Sequence, residues 1–275
     1  MNKILLCVDS MQNALALCNA AIFFAKRYEA SITFFNVLEE EIIVDAAFVG
    51  DLGFGVNAAF VERSLEQSEE KNAENKEYSN TLEFICKNHC LKQAIKLESL
   101  KVSGDFVQEL QEHSKDYKLV VLGKMGKEKM GQNIKSALKQ LNTPIFLCQD
   151  EFKQINHLLF AYDGSDFLDE NLKKALKEPI FSNIKRSLLT LNSDRQKAID
   201  NLNKAKELFK EFNIEIKSDY LLEENSQALL DYAKKNNCDA IAMGAYSSGA
   251  LKHLFFGSFT DEIIQNSHLA LLILK

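Results

Sequence analysis

The chain has 275 residues, of which 46% are hydrophobic and 26% are charged, and its formal net charge is −6. At roughly 100 to 200 residues per domain this length predicts two domains or one large one, and the composition disfavours disordered, collagen-like and coiled-coil chains. The acidic balance disfavours a general nucleic-acid binder, because binding to a phosphate backbone needs clustered positive charge.

The apolar stretches are too short for a membrane span or a secretory signal. The longest, Ala14 to Ala25, is interrupted by Asn19 and falls short of the roughly 18 residues that a membrane helix needs. The apolar stretch Ile4 to Val8 is too short for a signal peptide. We therefore expect a cytoplasmic protein without a membrane partner, in which the six dispersed cysteines are reduced thiols.

The first half alternates apolar strands with amphipathic helices. Lys3 to Val8 is a continuous apolar run that ends at Asp9, which is typical of a buried parallel strand. A helix with one apolar face follows, from Ala14 to Tyr28. Further strands are predicted at Ile32 to Val37, Gln93 to Val102, Leu119 to Leu122 and Pro144 to Cys148.

The second half repeats this order, beginning with a strand from His157 to Tyr162 that ends at Asp163. The later strands are predicted at Ser187 to Leu191, Ile214 to Leu221, Ala240 to Met243 and Leu269 to Leu274. Strands that alternate with helices predict an α/β fold of two doubly wound domains, residues 1–150 and 154–275, each with a five-stranded parallel sheet. The short polar connection, Gln149 to Asn156, implies that the domains pack closely.

The first half carries an insertion after its second strand. Asp9 and Gly123 are 114 positions apart, whereas Asp163 and Gly244 are 81 apart, so the first half holds 33 more residues. The additional residues include an apolar, glycine-bearing segment near 41–60, followed by a charged helix pattern from Glu62 to Ile85. We expect the apolar segment to be buried within the chain; a lid or a partner surface are the alternatives.

A glycine-bearing loop after the fourth strand of the second half has the character of a phosphate site. Gly244 ends the strand, and Gly257 and Ser258 precede the last helix. In an open parallel sheet, ligands bind at the carboxyl ends of the strands, and phosphates bind free N–H groups where a glycine-rich loop opens a helix.

These residues resemble the universal stress protein family, whose nucleotide-binding members carry the pattern G-x2-G-x9-G-[S/T] after the fourth strand. The resemblance covers nearly the whole chain as a tandem pair, and it implies an adenine nucleotide α-hydrolase-like fold. It also implies that the aspartate after the first strand and the residue that ends the second strand hold adenine, while the glycine loop holds ribose and phosphates. In the second half these roles fall on Asp163, Leu191, Gly244, Ser247, Gly257, Ser258 and Thr260.

Both halves depart from the family pattern. Ser247 replaces the second glycine of the second half, which would cost on the order of 1 to 2 kcal/mol if a positive φ is required there. In the first half Gly123 and Gly126 fit, but Ser136 and Ala137 stand where the last glycine and hydroxyl belong. We therefore expect the nucleotide mainly in the second half. The weaker candidates of the first half are Asp9, Val37, Gly123 and Gly126.

Plainer interpretations exist for the same residues. Gly123 and Gly244 would also serve tight strand-to-helix turns, and an aspartate commonly binds its own backbone two residues on. Lys124, Lys127 and Lys129 surround the first-half loop, where they would either attract an anion or be solvated.

Metal and hydrolase sites are disfavoured. Cys86 and Cys90 with His89 have the residue types of metal ligands, but a structural zinc site usually has four ligands and no second cysteine pair is present. Ser258, His253 and Asp163 suggest a catalytic triad, but the chain has no G-x-S-x-G motif.

The resemblance thus implies a tandem stress-response or regulatory protein that binds ATP or another adenine nucleotide, with or without magnesium. The alternative hypothesis is a nucleotide-free protein that binds a partner or a small ligand. A third and weaker hypothesis is an adenylyl-transferring or ATP-hydrolysing enzyme. Because family members dimerise through the last strand, we expect Ile145 to Cys148 to lie beside Leu271 to Leu274. A homodimer of the whole chain is a further hypothesis.

Overall fold

The computed structural model describes residues 2–38, 58–124, 130–244 and 258–275, and for residues 58–65, 130–132 and 258 it describes the backbone alone. Helices and strands are numbered in chain order. In the first half they are β1 (Lys3–Cys7), α1 (Met11–Tyr28), β2 (Ser31–Leu38), α2 (Ala58–Lys92), β3 (Leu97–Ser103), α3 (Phe106–His113), β4 (Leu119–Gly123), α4 (Met130–Gln140) and β5 (Ile145–Cys148).

The second half contains the same sequence of elements. They are β6 (His157–Tyr162), α5 (Asp166–Leu176), β7 (Lys185–Leu191), α6 (Arg195–Glu211), β8 (Lys217–Leu221), α7 (Ser226–Lys235), β9 (Ala240–Gly244), α8 (Ser258–Asn266) and β10 (Ala270–Leu274). Short 3-10 turns follow α3 and α5, at Ser114–Asp116 and Pro179–Phe181.

The strands form one ten-stranded sheet in the order β3-β2-β1-β4-β5-β10-β9-β6-β7-β8. Each half has the same internal order and is parallel throughout. The halves meet where β5 and β10 pair antiparallel, with Leu271 opposite Leu147 and Ile273 opposite Ile145. The α/β class is confirmed, and the last strands pair as the sequence analysis expected. The domain limits 1–150 and 154–275 stay predictions.

Polar side chains at the strand-to-helix turns determine where the helices begin. Ser10 and Ser165 cap α1 and α5, and their hydroxyls accept hydrogen bonds from Gln12 N and Leu168 N. Asp194 caps α6 in the same way by accepting from Gln196 N and Lys197 N. These caps satisfy backbone N–H groups that the first helical turn leaves without partners.

Helices cover both faces of the sheet, as a doubly wound fold requires. One core joins α1, α2, α5 and α6 to strand residues such as Phe34, Phe146 and Phe160. The other core joins α3, α4, α7 and α8 to the alternate strand residues, such as Leu5 and Ile273. The strands are therefore apolar on both sides, which explains their continuous apolar runs.

The insertion contributes the long helix α2. It spans Ala58–Lys92, so it begins before and ends after the predicted Glu62 to Ile85. Leu82, Cys86 and Cys90 are buried on the core that α1 also lines, whereas most other described side chains of α2 are exposed. The predicted burial of the segment near 41–60 falls largely outside the described residues. Within the described part of the chain, no helix has the length and hydropathy to cross a membrane.

The connection between the halves packs on the first core. Phe152 lies 5.6 Å from Phe23 and 6.3 Å from Phe146, measured between ring centroids. Phe146, on β5, is fully buried and also meets Phe24 edge-on at 4.8 Å. These aromatic contacts pack α1, β5 and the connection against each other beside the paired strands β5 and β10.

The aromatic group gives a stability prediction. Replacing Phe146 by Ala should lower the free energy of unfolding by about 3–5 kcal/mol, because a buried phenyl ring leaves a cavity that its neighbours fill only in part. Urea denaturation followed by circular dichroism measures this change. The matched control is Phe84→Ala on the outer side of α2, where the side chain is 67% exposed, and it should leave stability almost unchanged. Equal losses in the two variants would contradict the assignment.

Candidate functional site

In each half the strand order reverses at one point, where an open parallel sheet forms a crevice. In the first half it lies between β1 and β4, and in the second half between β6 and β9. Asp9 and Gly123 flank the first crevice, and Asp163 and Gly244 flank the second. Such reversals are the usual ligand sites of open parallel sheets. The structure therefore brings the predicted aspartate and glycine of each half to one place.

The two crevices lie at opposite edges of the sheet. Because β5 and β10 are antiparallel, the strands of the first half run opposite to those of the second half. Their carboxyl ends, where Val37 and Leu191 also lie near the ends of β2 and β7, consequently point in opposite directions.

In the second half Asp163 forms a tight turn with its own backbone. Asp163 is 6% exposed, and its Oδ1 accepts hydrogen bonds from Ser165 N at 2.9 Å and Ser165 Oγ at 2.7 Å. Ser165 Oγ in turn accepts from Leu168 N at 3.2 Å. The expected capping role of the aspartate is thus confirmed, and the same bonds hold its carboxylate at the edge of the crevice.

Two residues of α6 that were not predicted from the sequence donate hydrogen bonds to the backbone of this turn. Asn201 Nδ2 donates to the carbonyl of Asp163 at 3.3 Å, and Lys204 Nζ donates to that of Gly164 at 3.0 Å. Gly164 has φ +80°, and a Cβ there would lie 2.2 Å from Asn201 Oδ1. Asn201 and Lys204 contact residues about 40 positions away along the chain. In the sequence, therefore, only their spacing of one helical turn relates them to each other.

Lys204 also organises the acidic start of α5. Its Nζ lies 2.6 Å from Asp169 Oδ2 and 3.1 Å from Asp166 Oδ1. The buried Tyr162 hydroxyl donates to Asp169, and burial together with this hydrogen bond raises the pKa of Tyr162 well above its usual range. Lys204 thereby ties β6, α5 and α6 together around the turn.

The glycine that ends the fourth strand faces the first helix of its half. A Cβ on Gly244 would lie 3.4 Å from Leu168 Cδ1, and a Cβ on Gly123 would lie 2.7 Å from Asn13 Nδ2. Asn13 and Leu168 both occupy the third position after the cap, so they correspond. The second crevice is therefore apolar beside its glycine, whereas a buried amide packs on the glycine of the first.

The polar candidates on α8 are placed differently from one another. Ser258 is the first residue of α8, while Thr260 is fully buried in the same helix, which removes it from the surface of the crevice. The predicted Ser247, Gly257 and Gly126, and His253 of the rejected triad, lie outside the described residues.

The structure corrects the motif of the first half. Ser136 and Ala137 lie inside α4, and Ala137 is fully buried, so neither occupies the start of a helix. The ends of α4 and α8 correspond, since Leu141 N donates to Ala137 O as Ser267 N donates to Ile263 O. Counted back along the sequence from these helix ends, Gly131 is the counterpart of Gly257. Gly123 and Gly131 are eight positions apart, whereas Gly244 and Gly257 are thirteen apart, and Gln132 stands after Gly131 where Ser258 follows Gly257.

The sequence predicts that Lys124 is either solvated or attracts an anion, and the structure shows neither environment. Its side chain is only 8% exposed, and its Nζ donates to the carbonyl of Ser267 in the second half. The expectations for Lys127 and Lys129 concern residues outside the described part of the chain.

The cysteines of α2 pack in the core. Cys86, Cys90 and Cys18 are fully buried, and the hydrogen bonds of the Cys18 thiol to Cys86 and Cys90, together with burial, raise the pKa of Cys18 far above its usual value. His89 is bonded to Asn19 Oδ1 at 2.7 Å. Among the residues that the structure describes, no three His, Cys, Asp or Glu side chains are arranged to hold a metal ion. All six cysteines are free and buried.

A groove of about 700 Å³ lies at the other edge of the second half. It is bounded by the connection between the halves, α7 and the residues that precede β9 and β10. Because these are the amino ends of the strands, the groove is separate from the crevice of Asp163 and Gly244.

Comparison with known proteins shows which family the chain is similar to. Residues 181–275 match the model of the universal stress protein family. The chain is 22% identical to the universal stress protein Slr1230 of Synechocystis sp. over 100% of both chains. A universal stress protein structure from Archaeoglobus fulgidus matches with a TM-score of 0.65 and 19% identity, covering 100% of this chain and 96% of that one. A putative universal stress protein structure from Pseudomonas aeruginosa matches with a TM-score of 0.60 and 11% identity, covering 100% and 93%.

At these identities the solved structures establish the fold, which agrees with the doubly wound sheet described above. The match of residues 181–275 and the full-length relative confirm the similarity to the universal stress protein family that the sequence predicted.

Proposed function

We propose that this chain is a cytoplasmic regulatory or stress-response protein that binds an adenine nucleotide, ATP or a close relative, in the second-half crevice. The observation that carries this proposal is the meeting of the Asp163 turn and Gly244 at the switch point between β6 and β9. The family-model match, residues 181–275, lies within the half that contains this crevice and includes Leu191 and Gly244. The six free, buried cysteines are compatible with a reducing compartment.

The geometry suggests how each part of the nucleotide would be held. Adenine would lie between the Asp163 turn and Leu191, against the apolar side chain of Leu168, because a flat base gains from apolar contact on its faces. The phosphates would lie toward Gly257 and Ser258 at the start of α8, where backbone N–H groups and the helix dipole favour an anion. Magnesium, when bound, would be held through the phosphate oxygens.

The first crevice supports a different role. Asn13 packs directly on Gly123 and its Nδ2 lies 3.5 Å from Asp9 Oδ1, so the Asn13 side chain contacts both residues that would receive a nucleotide. Tyr78 of α2 contacts the same edge, where its hydroxyl accepts a hydrogen bond from Met11 N at 3.2 Å. We propose that one nucleotide binds per chain.

The nucleotide-free alternative is favoured by one observation. Asp163 Oδ1 already accepts two hydrogen bonds from Ser165, so this oxygen is less available to a ligand. In that case the crevice would be a structural remnant, and the protein would act by binding a partner or small ligand. Direct binding measurements separate the two functions, and multiple turnover with an acceptor substrate would be needed to support an enzyme.

The nucleotide site is tested by paired substitutions in the two halves. Isothermal titration of the native chain with ATP should give one site. Gly257→Asp should weaken that binding at least about tenfold, because like charges a few ångströms apart near a surface repel by about 4 kcal/mol. The matched control, Gly131→Asp, puts the same charge at the corresponding position of the first half and should leave affinity and stoichiometry unchanged. An unaffected Gly257→Asp variant, or a native chain that takes up no ATP, would refute the site.

The turn that carries Asp163 gives a second prediction. Gly164→Ala should lower the free energy of unfolding by at least about 1–2 kcal/mol, the cost of a left-handed conformation for a residue with a Cβ. It should also weaken ATP binding, because the displaced turn misplaces Asp163. Chemical denaturation and titration measure the two effects.

A double variant separates the causes. Adding Asn201→Ala to Gly164→Ala removes the 2.2 Å contact with the new Cβ and should restore part of the stability, leaving the backbone cost. If Gly164→Ala alone were as stable as the native chain, the turn described here would be wrong.

A further inference from the structure

The carboxyl end of α8 is held by residues of the other half. Ser267, which follows α8, is 2% exposed, and its carbonyl accepts hydrogen bonds from Lys124 Nζ and from Gln149 Nε2, the latter at 3.1 Å. Gln149 Nε2 also donates to Leu269 O at 2.9 Å. Lys124 belongs to the first half and Gln149 directly follows its last strand, so the end of α8 is held by residues that its own half does not supply.

Lys124 directly follows Gly123, the glycine that ends β4. Its backbone N–H donates to Cys148 O at 2.8 Å, which continues the pairing of β4 with β5 and fixes the start of the side chain. A cation at the carbonyl end of a helix is favoured by the helix dipole. A buried ammonium group needs such a partner, and burial lowers the pKa of Lys124 to about 8.

The helix connects this support to the proposed nucleotide site. Its nine residues span about 14 Å at the usual rise per residue, from Ser258, beside the proposed phosphate position, to the end that Lys124 holds. Midway, Asp261 Oδ2 forms an ion pair with Lys135 Nζ of α4 at 2.9 Å. The first half therefore contacts α8 both at its end and along its length.

The contact between the halves is reciprocal in part. Lys275, the counterpart of Gln149 after the last strand, donates through Nζ to Leu138 O of α4. Lys124 has no such equivalent, because the position after Gly244 is an alanine. The additional tie therefore runs in one direction, from the glycine turn of the first half to the helix of the second.

We propose that Lys124 is a positioning residue for the second-half nucleotide site, which it serves by fixing α8 and thereby the helix start that receives the phosphates. The inference rests on the proposed function. It assigns a regulatory role to the first half: Lys124 of its glycine turn is bonded to Ser267 at the end of α8 and is coupled to nucleotide occupancy at Ser258, 134 residues further along the chain. By linkage, nucleotide bound at the start of α8 stabilises the Lys124 contact to the same extent.

The test compares Lys124→Met with Lys118→Met. The first variant keeps the aliphatic length and removes the donor to Ser267. The control removes another contact between the halves, the Lys118 Nζ to Glu178 Oε1 pair at 2.9 Å, which lies on the surface. Thermal unfolding establishes that each variant is folded, and Gln149→Leu, which removes the other donor to Ser267, is the substitute if Lys124→Met is not.

The readouts are titrations with ATP and with adenosine. Lys124→Met should weaken ATP binding about fivefold or more, a usual size for coupling between sites, and leave adenosine binding unchanged, because only ATP reaches α8 with its phosphates. Lys118→Met should change neither. Unchanged ATP binding in Lys124→Met, or an equal loss for ATP and adenosine, would overturn the proposal.

Hydrogen exchange separates this inference from the proposed function. Without ligand, the amides of residues 258–266 should exchange faster in Lys124→Met than in Lys118→Met. Failure of the native chain to bind ATP would overturn the nucleotide site, and exchange would still decide whether Lys124 holds α8. Identical exchange in the two variants would overturn the role of Lys124 even if ATP binds.

Discussion

The antiparallel pairing of β5 with β10 is the contact on which the arrangement of this molecule depends. It joins two parallel five-stranded units into one sheet, and it buries the last strand of each half against the other. An exposed strand edge presents unpaired backbone groups, and here each half covers that edge of its neighbour. The pairing also explains why residues that follow each last strand, Gln149 and Lys275, reach the terminal helix of the opposite half.

The same pairing gives the two crevices different surroundings. Since the halves run in opposite directions, the carboxyl edge of the first half adjoins the amino ends of β9 and β10, where α8 finishes. The Lys124 side chain therefore donates to a carbonyl of the second half instead of facing the first crevice. Two further observations argue against a ligand in the first crevice: Asn13 packs on Gly123, and the loop after β4 is five residues shorter than the loop after β9. In this interpretation the first half holds the end of α8 and responds to nucleotide occupancy, and the second half binds the nucleotide.

The sequence was sufficient for the fold because strands buried on both faces are continuous apolar runs, which made β1, β4, β6 and β9 recognisable. It was also sufficient to bring Asp163 and Gly244 together, since both end parallel strands. It did not predict the contacts of Asn201 or Lys124, because their partners are far away along the chain and no local pattern records them. The fixed spacing of the family motif led to Ser136 instead of Gly131, because spacing is not preserved when a loop changes length.

The central claim is that the second crevice, and not the first, binds an adenine nucleotide. A crystal structure of the chain grown with ATP tests this most directly. The account predicts one nucleotide, with its base beside Asp163 and Leu191 between the ends of β6 and β9 and its phosphates at the start of α8. A nucleotide found between β1 and β4 alone, or a second crevice filled by protein side chains, would contradict it.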